Sequence, residues 1–180
     1  MIVVGGDNLI DLIESARNDG AVSFAGARGG SGYNTARAAV RQDQPVGFIT
    51  PIATDNLGHF LADKMISDGV ELLSPRSQKP SSLAVVTLNN GQPSYQFYRD
   101  DTAERQVDLP LLQNNFPANG RAFHLTSLAI ISGTDADAWA DFFAQKHAAG
   151  IVTTLDPNVP KGVPKEPKCP KRVPPMPQPA

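Results

Sequence analysis

The density of proline changes abruptly near residue 156, and this change limits how much of the chain can fold. Nine of the sixteen prolines lie in the final 24 positions. Proline lacks a backbone donor and cannot continue a helix or a central strand. The same segment has few large apolar side chains to offset its ordering entropy. We therefore expect residues 1–156 to fold and residues 157–180 to form a disordered Pro/Lys-rich tail.

The tail also contains a short pattern that some domains recognise. Pro174 and Pro177 form P-x-x-P beside Arg172. This arrangement is typical of polyproline II ligands. A solvated tail remains the simpler interpretation.

Composition argues against several classes of function. The formal net charge of −2 and the pI near 5.9 provide no attraction to nucleic acid or anionic membranes. A single cysteine, Cys169, excludes an intrachain disulfide framework and a cysteine-based metal cluster. No apolar run approaches the ~18 residues of a membrane span, and the first residues lack the basic region of a signal peptide. We therefore expect a cytoplasmic protein that binds neither nucleic acid nor membranes.

Before residue 157 the chain alternates strand and helix patterns. The predicted strands are Ile2–Val4, Val46–Thr50, Leu83–Leu88, Ser94–Tyr98, Ala122–Thr126 and Ile151–Leu155. The predicted helices are Tyr33–Arg41, Asn56–Ser67, with Leu57, Phe60, Leu61 and Met65 facing inward, and Asp135–His147. This alternation indicates an α/β fold in which helices cover a parallel sheet and a small antiparallel piece is inserted.

A glycine-rich stretch at residues 27–32 precedes the first predicted helix, where glycines allow a backbone to approach a ligand closely. Two phosphate-binding motifs do not fit it. A Walker A loop requires a lysine after its last glycine, and a dinucleotide fingerprint requires a glycine where Thr35 stands. A tight turn that opens a helix remains the simplest alternative.

Other chemistry-bearing residues give weaker signals. The acids Asp100, Asp101, Glu104 and Asp108 are interpreted as a solvated loop. The three histidines are too scattered for a local metal motif. No G-x-S-x-G elbow is present, which argues against a hydrolase of that type.

Several motifs follow one another in an order and spacing that distinguish one enzyme family. The early motifs are Gly6-Asp7-Asn8-Leu9-Ile10-Asp11, Gly29-Gly30-Ser31-Gly32-Tyr33-Asn34-Thr35-Ala36 and Gly47-Phe48-Ile49-Thr50-Pro51-Ile52-Ala53-Thr54-Asp55-Asn56-Leu57-Gly58. The later motifs are Asp68-Gly69-Val70, Pro80-Ser81-Ser82-Leu83-Ala84, Phe97-Tyr98-Arg99, Thr102-Ala103-Glu104-Arg105, His124-Leu125-Thr126-Ser127-Leu128 and Asp156-Pro157-Asn158. Together they resemble the PfkB (ribokinase-like) carbohydrate kinase family, in its fructokinase and 2-keto-3-deoxygluconate kinase branch. The resemblance covers residues 1–159.

The resemblance implies a sugar site in this part of the chain. Asp11 and Asn34 would hydrogen-bond sugar hydroxyls, while Gly29 and Gly30 would let the backbone close on the ring. A carboxylate and an amide offer the acceptors and donors that a polyol requires. Helix capping is the alternative role for Asn34, and capping or simple solvation is the alternative for Asp11.

The inserted strands, at about residues 72–100, resemble the family's β lid. The resemblance implies that Phe97 packs against the sugar and that Arg99 contacts it. A surface salt bridge is the alternative for Arg99. The lid also implies a homodimer, as in some members of the family.

The catalytic half of the family pattern is not found. The resemblance implies ATP and Mg²⁺ as cofactors, bound by a second half whose Gly-Ala-Gly-Asp turn supplies the general base. That turn does not occur in the 180 residues, and Pro160 stands where this branch has an arginine. We therefore expect a C-terminally truncated substrate-binding half that is inactive alone, from a truncated or frameshifted gene. The alternative is a non-catalytic sugar-binding or vestigial domain, whereas a dinucleotide-dependent oxidoreductase is disfavoured.

Overall fold

The computed structural model describes residues 1–89, 92–131 and 133–157. The strands are β1 (Ile2–Gly5), β2 (Leu9–Asn18), β3 (Ala21–Gly29), β4 (Val46–Phe48), β5 (Glu71–Leu72), β6 (Ser82–Asn89), β7 (Gln92–Tyr98), β8 (Ala122–Thr126) and β9 (Val152–Asp156). The helices are α1 (Ser31–Val40), α2 (Asn56–Asp68), α3 (Leu109–Asn115) and α4 (Thr134–Ala148), with 3₁₀ turns at Ala103–Arg105 and Ser127–Ile130. The predicted disordered tail and its P-x-x-P pattern lie outside the described residues, apart from Pro157.

The main sheet has five parallel strands in the order β5-β4-β1-β8-β9. Successive side chains of a strand point to opposite faces, so Val3 and Val4 of β1 enter different cores. Val3 packs with Phe123 and Trp139 on the α3–α4 side, whereas Val4 packs with Phe48 on the α1–α2 side. The predicted α/β fold with a parallel sheet flanked by helices is confirmed.

A second sheet of four strands, in the order β3-β2-β6-β7, stands apart from the main sheet, and we call it the lid sheet. Strands β2 and β6 run parallel, and the outer pairs β2–β3 and β6–β7 are antiparallel. The expected lid bounds of about 72–100 were too narrow, because residues 9–29 supply two of its four strands. Residues 27–29, interpreted as part of a turn, are the end of β3, while β5 belongs to the main sheet.

Helix α2 matches its predicted position, but its inward face was assigned partly wrongly. Leu61 and Met65 are buried as expected, whereas Leu57 and Phe60 are 39% and 40% exposed. The face toward the core contains Gly58, where a β-carbon would overlap the carbonyl oxygen of Ala53. Leu57 and Phe60 lie at the rim of this packed face.

No helix within the described ranges is long and apolar enough to cross a membrane.

Candidate functional site

A cavity of about 480 Å³ lies between the carboxyl end of β1, the start of α1 and the lid sheet. Its lining residues are Asp7, Leu9, Asp11, Gly30, Ser31, Asn34, Thr35, Tyr95, Phe97 and Leu128. Ligands of open α/β sheets bind at the carboxyl ends of the strands. Four of the six predicted site residues line this cavity, and Gly29 lies next to one of them, Asp11.

Glycines allow the start of α1 to approach the segment between β1 and β2. Gly30 has φ +104°, and a β-carbon there would overlap the carbonyl oxygen of Asp7. A β-carbon on Gly32 would lie 2.9 Å from Cα of Gly6. The glycine-rich motif therefore builds a close backbone contact that larger residues would open.

Asp7 fixes this contact with its buried carboxylate. Its Oδ2 accepts a 2.8 Å bond from the amide of Ser31, and its Oδ1 accepts a 2.9 Å bond from the Ser31 hydroxyl. The Asp7 carbonyl accepts from the amide of Tyr33 at 3.1 Å. Asp7 thus caps α1 from another segment, which replaces the side-chain cap that Gly30 cannot provide. Asp7 was not predicted as a site residue, although an acid two residues after a buried strand is a recognisable signal.

Asp11 lies on β2 with its carboxylate against Gly29 of β3. A β-carbon on Gly29 would overlap Oδ2 of Asp11, so the glycine leaves the space that this carboxylate occupies. Burial raises the pKa of Asp11, and the negative charge of Asp7 raises it further. Asp11 is therefore a partly desolvated hydrogen-bond acceptor at the cavity wall.

Asn34 projects from the first turn of α1. The backbone N–H of Asn34 donates to the carbonyl of Gly30 at 2.9 Å. This bond places Asn34 inside the helix, and Gly30 is the N-cap residue. Helix capping therefore does not account for Asn34. Its exposed side chain lines the cavity as an additional donor and acceptor.

The lid sheet contributes an aromatic wall. Phe97 and Tyr95 stand on the same face of β7, with ring centroids 6.1 Å apart and an interplanar angle of 11°. Both line the cavity. Tyr95 was missed as a site residue, although its position two residues before Phe97 on a strand indicates a shared face.

Arg99 lies behind this wall rather than in the cavity lining. Its Nε is 2.5 Å from Oε1 of Glu104, and its side chain is 11% exposed. Burial alone would lower the pKa of Arg99, but the carboxylate of Glu104 outweighs it and raises that pKa. The predicted contact between Arg99 and a sugar stays a prediction.

Glu104 was wrongly interpreted as part of a solvated loop, since its side chain is 1% exposed. It accepts from the amide of Asn8 at 2.9 Å and from the hydroxyl of Ser82 at 2.8 Å. The 3₁₀ turn at Ala103–Arg105 directs this carboxylate inward, whereas Asp100, Asp101 and Asp108 are exposed as expected. Glu104 thereby ties the end of the lid sheet to the segment that carries Asp7.

Within residues 1–89, 92–131 and 133–157, no group of three or more His, Cys, Asp or Glu side chains is arranged to hold a metal ion.

Comparisons with known proteins agree with this architecture. A fructokinase of Rhizobium leguminosarum is 33% identical over 173 residues, which cover 92% of this chain and 51% of that protein. A fructokinase of Xylella fastidiosa, solved with bound ATP, superimposes with a TM-score of 0.80 at 26% identity and covers 91% of this chain and 51% of its own. The chain thus spans about half the length of the relatives it matches.

The family comparison covers more of the chain than the motifs did. The model of the pfkB family carbohydrate kinases matches residues 1–175. The boundary that we set at residue 159 was therefore too early. Because the match extends over nearly the whole sequence, the chain belongs to the pfkB family of carbohydrate kinases.

Proposed function

We propose that the chain forms the sugar-binding half of an ATP-dependent, fructokinase-like kinase. The observation that carries this proposal is the convergence on one cavity of Asp11 from β2, Gly30 from the β3–α1 junction, Asn34 from α1 and Phe97 from β7. The names of the relatives and the ATP bound in the Xylella structure support the choice of substrate and phosphoryl donor. The reaction would transfer the terminal phosphoryl group of ATP to a sugar hydroxyl.

The cavity has the chemistry that a polyol requires. Asp11 accepts hydrogen bonds from hydroxyl groups, and the Asn34 amide can both donate and accept. Phe97 covers an apolar face of the sugar and excludes water. These groups would orient the sugar, and orientation is a major part of catalysis in phosphoryl transfer.

We infer that the 180-residue polypeptide does not catalyse this transfer alone. It has no Gly-Ala-Gly-Asp turn to supply the general base. Loss of a general base typically lowers the rate by about 10²–10⁴-fold. Loss of the electrostatic stabilisation around the transferred phosphoryl group removes a further large contribution.

The second candidate is a non-catalytic sugar-binding or vestigial domain. The two candidates differ in what they bind. Calorimetric titration with fructose and with a non-hydrolysable ATP analogue, together with a coupled kinase assay, separates them. Fructose binding without nucleotide binding or turnover favours the non-catalytic domain for this polypeptide, and turnover above a vector control contradicts our inference of inactivity.

The lid sheet is also the surface through which we propose homodimer formation. Val22, Phe24 and Tyr98 lie on the face turned away from the cavity and are 42%, 43% and 51% exposed. Exposed apolar side chains on a sheet face favour association. Light scattering of the wild type and of Phe24→Glu tests the dimer, which should dissociate in the variant.

A cytoplasmic location is part of the proposed function, because the reaction consumes ATP.

A further inference from the structure

Two of the residues that line the cavity, Asp7 and Asp11, are acidic. Among the described lining residues there is no lysine, arginine or histidine. A ligand that carries its own carboxylate or phosphate would therefore meet two like charges and no counter-charge.

The start of α1 would ordinarily attract an anion. Free amides and the helix dipole make a helix N-terminus suitable for phosphate or carboxylate groups. Here Asp7 occupies that position, because its carboxylate accepts from the Ser31 amide at 2.8 Å and its carbonyl accepts from the Tyr33 amide at 3.1 Å. The protein's own carboxylate thus takes the place of an anionic ligand.

The guanidinium of Arg99 lies directly behind the cavity wall. Arg99 follows Phe97 by two residues, and its Nη1 donates to the carbonyl of Leu128 at 3.3 Å. Phe97 and Leu128 both line the cavity. Arg99 is therefore placed where its positive charge could attract an anionic ligand.

Glu104 neutralises that charge. Its Oε1 is 2.5 Å from Nε of Arg99, and its Oε2 accepts from the Asn8 amide at 2.9 Å. Ser82 donates a further 2.8 Å bond to Oε1. These bonds fix Glu104 in the interior, so the ion pair cannot be exchanged for a ligand without breaking them.

On the basis of the proposed function, we infer that this cavity selects neutral sugars and rejects sugar acids and sugar phosphates. We also infer that Glu104 determines this specificity, because it compensates the charge of Arg99 behind the wall. The pKa of Asp11, which burial raises and the charge of Asp7 raises further, agrees with this account. A ligand carboxylate would add a third negative charge to the same space.

Calorimetric titration of the 180-residue polypeptide at low salt compares fructose with gluconate. We expect gluconate to bind roughly tenfold more weakly or worse, because repulsion between charges a few ångströms apart is strong in a partly desolvated site. Equal affinity for the two ligands overturns the inference and leaves the proposed function standing. If fructose itself does not bind, the proposed function fails and the inference fails with it.

Two variants test the charge argument independently. Glu104→Gln keeps hydrogen-bonding capacity but removes the carboxylate that is paired with Arg99, while Asp7 and Asp135 still act on that arginine. The affinity for gluconate relative to fructose should therefore rise by roughly three- to tenfold. Glu104→Asp keeps the charge and should retain the wild-type ratio.

The half-buried Thr35 offers a second position that does not disturb the buried ion pair. Thr35→Lys adds a cation to the wall and should raise the same ratio, while the neutral control Thr35→Gln should not. If Glu104→Gln loses the circular-dichroism signal of the folded protein, the two Thr35 variants test the inference in its place. If Thr35→Lys leaves the affinity for gluconate relative to fructose unchanged, the inference is overturned.

Discussion

Gly29 and Asp11 occupy complementary space across the β2–β3 pair: a β-carbon on Gly29 would overlap Oδ2 of the Asp11 carboxylate. Asp11 itself pairs in register with Ala27, two residues before Gly29. The orientation of a proposed sugar ligand thus depends on the absence of a side chain in the neighbouring strand. This dependence explains physically why a glycine ends β3.

Gly29→Ala should therefore weaken fructose binding by roughly tenfold, because its methyl group displaces the Asp11 carboxylate from the cavity wall. Gly26→Ala is a matched control in the same strand, since a β-carbon there would have its nearest neighbours 3.9 Å away. Calorimetry on both variants measures the difference. Equal effects of the two substitutions would show that the Asp11 position does not govern binding.

Asp11→Asn should weaken fructose binding without lowering stability. The pKa of Asp11 is raised by burial and by Asp7, so the folded state binds this proton more tightly than the unfolded state. Ionisation at neutral pH therefore costs stability, and that cost disappears as the pH falls below the unfolded value near 3.8. The neutral amide should leave the free energy of unfolding at pH 7 unchanged or higher, as measured by urea denaturation. A clear loss of stability would instead identify Asp11 as a structural residue.

The wild-type pH profile provides a separate check on Asp11. Protonation removes an acceptor for sugar hydroxyls, so fructose affinity should fall as the pH decreases through the raised pKa. In Asp11→Asn this decrease should be absent. A wild-type affinity that stays constant down to pH 4 would contradict the role of the carboxylate.

Phe97→Ala should weaken fructose binding roughly tenfold through loss of apolar contact with the sugar. The adjacent Gln96 lies on the opposite face of β7 and is exposed, so Gln96→Ala is its control. Resistance to trypsin digestion reports on folding, and calorimetry reports on fructose binding, so the two measurements on both variants separate the two effects. Equal loss in both variants would indicate damage to the strand rather than loss of a contact.

Asp55 holds the lid sheet against α2. Its carboxylate accepts from the amides of Gly58 and Ser81 at 2.7 and 2.8 Å, and from the Ser81 hydroxyl at 2.7 Å. Ser81 immediately precedes β6, so one side chain caps the helix and fixes the base of the lid sheet.

Asp55→Ala should reduce the free energy of unfolding by about 1–2 kcal/mol, as loss of an N-cap does. Burial alone would raise the pKa of Asp55, but the hydrogen bonds from Ser81 and Gly58 outweigh burial and lower it. Its stabilisation is therefore complete above the unfolded value of 3.8 and is lost as the pH falls through the lower folded pKa. Urea denaturation at pH 7 and pH 3 measures both effects. Asp55→Asn should retain part of the cap but lose the pH dependence of this contribution.

The central strands β1 and β4 of the main sheet could be predicted from the sequence because they carry short apolar runs that are buried on both faces. Strands β2 and β3 do not have this pattern. Residues 21–29 are mostly small, with weak strand preference, and they form a strand through pairing with β2. Strand β2 is in turn paired with β6, about seventy residues later, which no local pattern reveals.

The candidate site shows the same limit. Asp11, Asn34 and Phe97 belong to motifs with family spacing, so the sequence identifies them and the structure brings them to one cavity. The Arg99–Glu104 pair depends on a 3₁₀ turn that buries an acid within a chain segment rich in exposed acids. Sequence pattern alone favoured solvation there, because burial of Glu104 follows from its tertiary partners.

Amide chemical shifts during a fructose titration of the ¹⁵N-labelled polypeptide test the sugar site most directly. We predict that Asp11, Gly30, Asn34 and Phe97 shift together along one saturable curve, while Leu112, buried in the α3–α4 core, does not move. Saturating fructose that leaves these four amides unshifted, or that shifts a different surface of the protein, would contradict the account.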